Sequence, residues 1–265
     1  MEVVHAHGID VAYQRIGTGP PVVLAHGAAL DSRMWDPQTS ALSDEFTVVA
    51  WDEPGYGQSS DLPATFGLAD YAACLAAVIE SVGLGAAHVA GLSWGGSVVL
   101  ELYRLRPDLV ATLILADAYA GWKGSLSEDE LRIRVDGVNR MFVVPAEEFD
   151  PTLPGLFAGE RPTAFVPILD AMAADVRPES LHLELDIQVD TDLRDLLPRV
   201  AVPTLLIWGE LDERSPLGIA HQFADNIPDA TLVVIPEAGH VSNLQQPQQF
   251  NDAVRTFCRA HPPSF

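Results

Sequence analysis

Gly91-Leu92-Ser93-Trp94-Gly95 reads G-x-S-x-G, set between the apolar run Ala87-His88-Val89-Ala90 and the helix-like stretch Gly96 to Tyr103. A serine on such a strand-to-helix turn is held in a strained conformation that thrusts its hydroxyl clear of the sheet edge. Glycines two before and two after it follow from sterics, because a Cβ at either place would collide with the neighbouring helix or strand. The following helix aims its free N–H groups and positive dipole end at the serine, where negative charge develops during attack on a carbonyl. Five-residue patterns also arise by chance, so the rest of the chain must supply the meaning.

Outside the turn, short β-branched runs alternate with helical patterns for most of the length. Val3–Ala6 and Val11–Gln14 flank Gly8-Ile9-Asp10 as an opening hairpin. Val22-Val23-Leu24-Ala25, after Gly19-Pro20-Pro21, is apolar throughout, as a strand buried on both faces must be. Similar runs follow at 46–50, 87–91, 112–116, 204–208 and 231–235. Amphipathic spacing predicts helices near residues 67–82, 94–106, 216–226 and 247–260, the second stopped by Pro107. Strands alternating with helices imply an α/β fold with a mostly parallel, eight-stranded sheet covered on both faces.

The alternation breaks between Gly121 and Arg199. Ser127-Glu128-Asp129-Glu130 has capping-box spacing ahead of a helical pattern. Pro145, Pro151, Pro154, Pro162, Pro167 and Pro178 cut the remainder into short pieces. We therefore expect residues 1–120 and 200–265 to form the core. Residues 121–199 are expected to form a helical cap, inserted after the sixth strand and lying over the C-terminal ends of the strands.

Asp and Glu total 37 against 15 Lys and Arg, a formal charge of −22. A field of that sign repels nucleic acid and anionic lipid, and no local basic cluster opposes it, so neither is an expected partner. No run approaches the ~18 apolar residues of a membrane span, and Met1-Glu2-Val3-Val4-His5 lacks the basic-then-apolar pattern of a signal peptide. Cys74 and Cys258 fall among apolar neighbours in helix-like segments and read as buried free thiols, which fits a reducing cytoplasm. His5, His7, His88, His182, His221 and His261 show no ligand spacing, so no metal is expected. A homodimer is compatible with the sequence, which does not specify an oligomeric state.

A serine hydroxyl is a weak nucleophile until a base takes its proton, and that base needs an orienting carboxylate. In an open parallel sheet such partners belong on loops at the C-terminal ends of strands. The chain order Ser…Asp/Glu…His offers Gly209-Glu210-Leu211-Asp212 after one strand and Gly239-His240 after the last. Asp117, closing the 112–116 strand, is the competing acid; spacing and the preceding Trp208-Gly209 favour Asp212.

Together these stretches resemble the α/β-hydrolase superfamily along essentially the whole chain. The resemblance rests on His26-Gly27 after a buried strand, Asp52 to Ser59 (DEPGYGQS), the G-x-S-x-G turn, Gly209-x-x-Asp212 and Gly239-His240, in the family's order. It implies the α/β-hydrolase fold, Ser93 as nucleophile, His240 as general base then acid, and Asp212 as its orienting partner. It also implies an oxyanion hole from the backbone N–H groups of Trp94 and Ala28, with no cofactor. Ala28 to Trp35 and Gly239 to Asn243 look most like the small serine esterase and 3-oxoadipate enol-lactonase branch, which implies small carboxylic esters or lactones as substrates. Serine at position 93 departs from the epoxide hydrolases and haloalkane dehalogenases, which need a carboxylate nucleophile. Carbon–carbon bond hydrolases of ring-cleavage products, aminopeptidases, cofactor-free perhydrolases and a non-catalytic small-ligand-binding protein of the same fold stay open.

For the substrate pocket the sequence offers His26, Met34, Trp35, Trp122 and the Trp94 indole, bulky groups able to bracket a small apolar acyl or alcohol moiety. His26 has a second reading, as the residue that holds the oxyanion loop. Arg132, Arg134, Arg140 and Arg177 are the cap residues able to grip a substrate carboxylate, with solvated helix faces as the alternative.

Overall fold

A computed structural model describes residues 1–144 and 153–263. Its strands are β1 (Glu2–Ala6), β2 (Ile9–Ile16), β3 (Pro21–Ala25), β4 (Thr47–Trp51), β5 (Ala87–Leu92), β6 (Val110–Ala116), β7 (Thr204–Gly209) and β8 (Ala230–Ile235). They form one sheet in the order β1-β2-β4-β3-β5-β6-β7-β8. The opening hairpin pairs antiparallel and joins β4 antiparallel, and every later pairing is parallel.

The helices of the first half are α1 (Asp36–Leu42), α2 (Leu68–Val82) and α3 (Trp94–Leu105). Between β6 and β7 come α4 (Trp122–Ser125), α5 (Glu128–Phe142), α6 (Val166–Asp175) and α7 (Pro178–Asp190). The chain closes with α8 (Leu217–Asn226), α9 (Ser242–Gln245) and α10 (Pro247–Ala260). The capping box forms at α5: Glu130 N–H donates to Ser127 Oγ (3.4 Å), and Ser127 N–H to Glu130 Oε2 (2.8 Å). Pro145 and Pro151 lie outside the described residues. α1 was not expected from the sequence, because its seven residues are too short to establish a period.

Strand alternation sorts the core into two layers. Val23, Val49, Val89, Leu113 and Leu206 face the side covered by α2, α3 and α8, among Tyr71, Leu75, Val98 and Phe223. Val22, Val48, Ala90, Ile114 and Ile207 face the other, covered by α1 and α10 through Leu42, Phe250 and Val254. Every residue of β3, β4, β5 and β7 is buried, which is why those runs carry no polar alternation. Loops carrying chemistry leave the C-terminal ends of β3, β4, β5, β6, β7 and β8, so they converge at one edge. No helix among the described residues is long and apolar enough to cross a membrane.

Candidate active site

Ser93 sits between β5 and α3 with φ 54° and ψ −114°, a left-handed conformation that a side-chain-bearing residue adopts only under external constraint. Its N–H donates to Ala116 O of β6 (2.9 Å), which pins the turn to the neighbouring strand. A Cβ on Gly91 would lie 2.2 Å from Gly95 O, and one on Gly95 would lie 2.4 Å from Ala25 O. Backbone stands where a side chain would have to go, so both glycines are steric requirements of the turn.

His240 follows β8 and is buried. Its Nε2 is 2.8 Å from Ser93 Oγ, and its Nδ1 is 2.8 Å from Asp212 Oδ2. The other oxygen of Asp212 accepts the N–H groups of Arg214 (2.8 Å) and Ser215 (2.9 Å), so the carboxylate is fixed on both sides. Burial lowers the imidazole's proton affinity, with Asp212 opposing that effect, and the net direction is downward. A neutral ring with Nδ1–H directed at Asp212 leaves Nε2 with a free lone pair facing the serine.

Asp117 is placed differently. It accepts Gly209 N–H (2.7 Å) and Ser242 Oγ–H (2.6 Å), bracing the loops that carry Asp212 and His240. Burial and the nearby charge of Asp212 push its carboxyl well above the usual range. Of the two candidate acids, only Asp212 hydrogen-bonds His240.

The loop after β3 carries Ala28. His26 is fully buried there, its Nδ1–H donating to Gly27 O (3.0 Å) while Nε2 accepts Glu53 N–H (3.1 Å). The imidazole thus cross-links two loops and lines no open space, in line with its second reading. Half-buried Ala28 borders a narrow cavity of about 40 Å³, closed on the far side by Leu153, Leu156, Phe157 and Leu169. Asp52 ties its own loop down by accepting Ser32 N–H (2.9 Å) and Gln58 N–H (2.8 Å).

Three other expected pocket groups are core residues. Met34 and Trp35 are fully buried beneath the sheet with Leu42 and Phe250. The Trp94 indole, expected to wall the acyl group, turns inward: it packs edge-on against Tyr71 and donates Nε1–H to Glu53 Oε2 (2.8 Å). Large apolar side chains near a serine satisfy a core as readily as a pocket, so sequence could not separate the two. Trp122 does line a cavity, described below.

A pair unforeseen from the sequence lies under Trp94. Glu53 and Glu184, the latter on α7, are both fully buried, and each has one oxygen, Oε1, without a donor. Tyr56 donates its hydroxyl to Glu184 Oε2 (2.5 Å). Burial raises both carboxyls, Glu184 to about 8, and the Glu184 charge raises Glu53 further. A shared proton satisfies two such facing acids. Glu53 belongs to the Asp52–Ser59 motif, but nothing local to Glu184 signals its partner 131 positions earlier.

A chain from Nitrosomonas europaea named pimeloyl-[acyl-carrier protein] methyl ester esterase is 30% identical over 248 residues, covering 91% of this chain and 96% of its own length. A putative carbamate hydrolase, RutD, from Azorhizobium caulinodans is 25% identical over 273 residues, covering 97% and 98%. Among solved structures, a thermophilic esterase from Thermogutta terrifontis superposes with a TM-score of 0.84 at 30% identity, covering 98% of this chain and all of its own. The family model described as the alpha/beta hydrolase family matches residues 22–253. With that match across most of the chain and hydrolases among its relatives, this protein belongs to the alpha/beta hydrolase family.

Proposed function

We propose that the chain is a serine hydrolase that cleaves small carboxylic esters or lactones through an acyl-enzyme. The observation that carries this reading is the relay of two 2.8 Å contacts, Ser93 Oγ to His240 Nε2 and His240 Nδ1 to Asp212 Oδ2, built on a strained turn. As Ser93 Oγ bonds to the carbonyl carbon, its proton passes to His240 Nε2, and Asp212 stabilises the imidazolium. The carbonyl electron pair moves onto oxygen, where the N–H groups of Trp94 and Ala28 receive it. Such donors are typically worth about 3 kcal/mol each in the transition state. Collapse breaks the ester C–O bond, and His240 returns its proton to the leaving alcohol oxygen. Water then gives a proton to His240 and adds to the acyl carbon, and a second collapse releases the acid and restores Ser93.

Residues 121–199 act in this reading as a cap over the site, and α7 anchors them through Glu184. The buried serine and histidine fit a site shielded from bulk water. Relatives named as esterases support ester hydrolysis. The test is an ester and lactone panel with wild type and Ser93→Ala, alongside labelling by a fluorophosphonate probe. Turnover and labelling lost together in Ser93→Ala are expected; near-native turnover by that variant overturns the assignment.

A further inference from the structure

The second cavity is larger and differently lined. It encloses about 400 Å³ between α5, the 153–155 segment and the loop after Asp212, within the size range of small-molecule sites. Its walls are apolar at Trp122, Val138, Met141 and Leu185, while Arg134, Arg140 and Arg214 bring cationic groups to it. Glu213, exposed at the rim, is the one carboxylate among the described lining residues.

Arg214 is the telling member. It is only 8% exposed, its Nη1 donates to Pro154 O (2.7 Å), and its Nε–H has no partner among the described residues. Burial pulls it down to about 10, which still leaves it charged at neutral pH. A buried guanidinium is ordinarily paired, because an unpaired charge is costly to take out of water. Arg134 rests over the Trp122 ring at 5.6 Å and donates Nη2–H to Arg214 O (2.7 Å), so its charge is held at the same wall. Arg132 and Arg177, by contrast, are spoken for, by Asp129 at 2.9 Å and Asp61 at 3.1 Å.

The cavity adjoins the proposed chemistry. Arg214 N–H holds Asp212, and Tyr119, whose hydroxyl donates to Arg214 O, has its ring 6.0 Å from that of His240. Leu153 lines both this cavity and the narrow space against Ala28.

We infer that this cavity is the specificity site for the far end of the substrate, and that it selects esters with an anionic group, carboxylate or phosphate, at the end of a short apolar chain. The apolar walls take the chain and Arg214, with Arg134 and Arg140, takes the anion. The inference rests on the hydrolase reading for its link to turnover, but binding at the cavity can be measured without it.

The experiment has two arms. In the first, kcat/KM is compared for activated esters of equal chain length ending in methyl, carboxylate or phosphate, with wild type, Arg214→Gln and Arg140→Glu. Wild type is expected to favour one or both anionic esters, and the variants to lower that preference roughly ten- to hundredfold, mainly through KM, as loss of a charge-assisted hydrogen bond does. The two anionic esters show which anion the site takes. In the second, hexanoate, hexyl phosphate and hexanol are titrated calorimetrically into Ser93→Ala protein with and without Arg140→Glu. Arg140 is exposed, so this substitution tests the charge even if Arg214→Gln fails to fold. Tighter binding of an anion than of hexanol, weakened by Arg140→Glu, is expected. Equal binding of all three, or no preference between anionic and neutral esters in an active enzyme, overturns the inference. If no ester turns over and Ser93 is not labelled, the hydrolase reading fails, while the calorimetric result still decides the anion site.

Discussion

Glu184→Gln is the most informative substitution for stability, because it replaces a protonated acid by its uncharged counterpart where the carboxyl is fully buried. The folded chain holds the Glu184 proton up to about pH 8, whereas an unfolded chain releases it near 4.5. Between those values the unfolded state binds fewer protons, so stability contributed by this group is present below pH 4.5 and falls as pH rises toward 8. Each pH unit inside the window is worth about 1.4 kcal/mol. Between pH 5 and pH 8 the wild type should therefore lose roughly 3–4 kcal/mol on this account. Glutamine retains an oxygen for the Tyr56 hydroxyl and an amide N–H for Glu53, and has no proton to lose. Urea unfolding at several pH values, with and without Glu184→Gln, isolates the effect of the Glu53–Glu184 pair, since the titrating groups outside it are common to both. With a slope of about 3 kcal/mol per molar, the wild-type midpoint should fall by about 1 M relative to the variant across that range. Parallel stability curves for the two proteins would refute the buried, protonated state of Glu184.

Asp212→Asn should cut kcat on an ester by roughly 10³–10⁴-fold with an unchanged circular dichroism spectrum, because it turns the histidine to the wrong tautomer. Asp117→Asn, which leaves His240 bonded to Asp212, should show a much smaller kcat loss; the reverse ranking would make Asp117 the acid. The pH profile of kcat/KM should rise with a midpoint below 6.5, the ordinary histidine value, because burial disfavours imidazolium at position 240; a midpoint above 7 contradicts it. Gly95→Ala places a methyl 2.4 Å from Ala25 O, where only backbone can yield. It should cost about 3 kcal/mol or more and lower the thermal midpoint by several degrees, and an unchanged midpoint would show that the elbow relaxes freely.

The core strands were legible because burial on both faces writes predominantly apolar runs at 22–25, 46–50, 87–91 and 204–208, too short for buried helices. The meeting of Ser93, Asp212 and His240 was legible for a different reason: each lies in a glycine-bearing loop after a strand end, where ligand-facing groups of a parallel sheet gather. What failed was direction. Trp94, Met34 and Trp35 are near the turn in sequence or space, yet their side chains are claimed by the core, and only three-dimensional packing shows which way they face. Contacts between distant segments were equally hidden. Glu184 meets Glu53, and Arg214 meets the 153–155 segment, through tertiary packing, and neither residue's neighbours in sequence carry a trace of it. The four arginines between β6 and β7 looked alike as letters; pairing with Asp129 and Asp61 separates Arg132 and Arg177 from Arg134 and Arg140.

Ser93 and His240 are 147 residues apart in the chain, and His240 rides on the loop that leaves β8 at an edge of the sheet. A chain made from its N-terminus therefore carries a finished turn with an unactivated hydroxyl for much of its synthesis, and such a hydroxyl is inert toward esters. On the proposed function, reactivity waits until β8 pairs with β7 and brings His240 to Ser93. β8 pairs on β7, and β7 joins β6 across the long 117–203 connection; parallel pairings between distant segments are slow to form. Recovery of ester turnover during refolding should consequently trail the recovery of fluorescence from Trp51 and Trp94 in the first half of the chain. Catalysis in this protein would then serve as a clock for the last strand, reporting completion of the sheet and not its beginning.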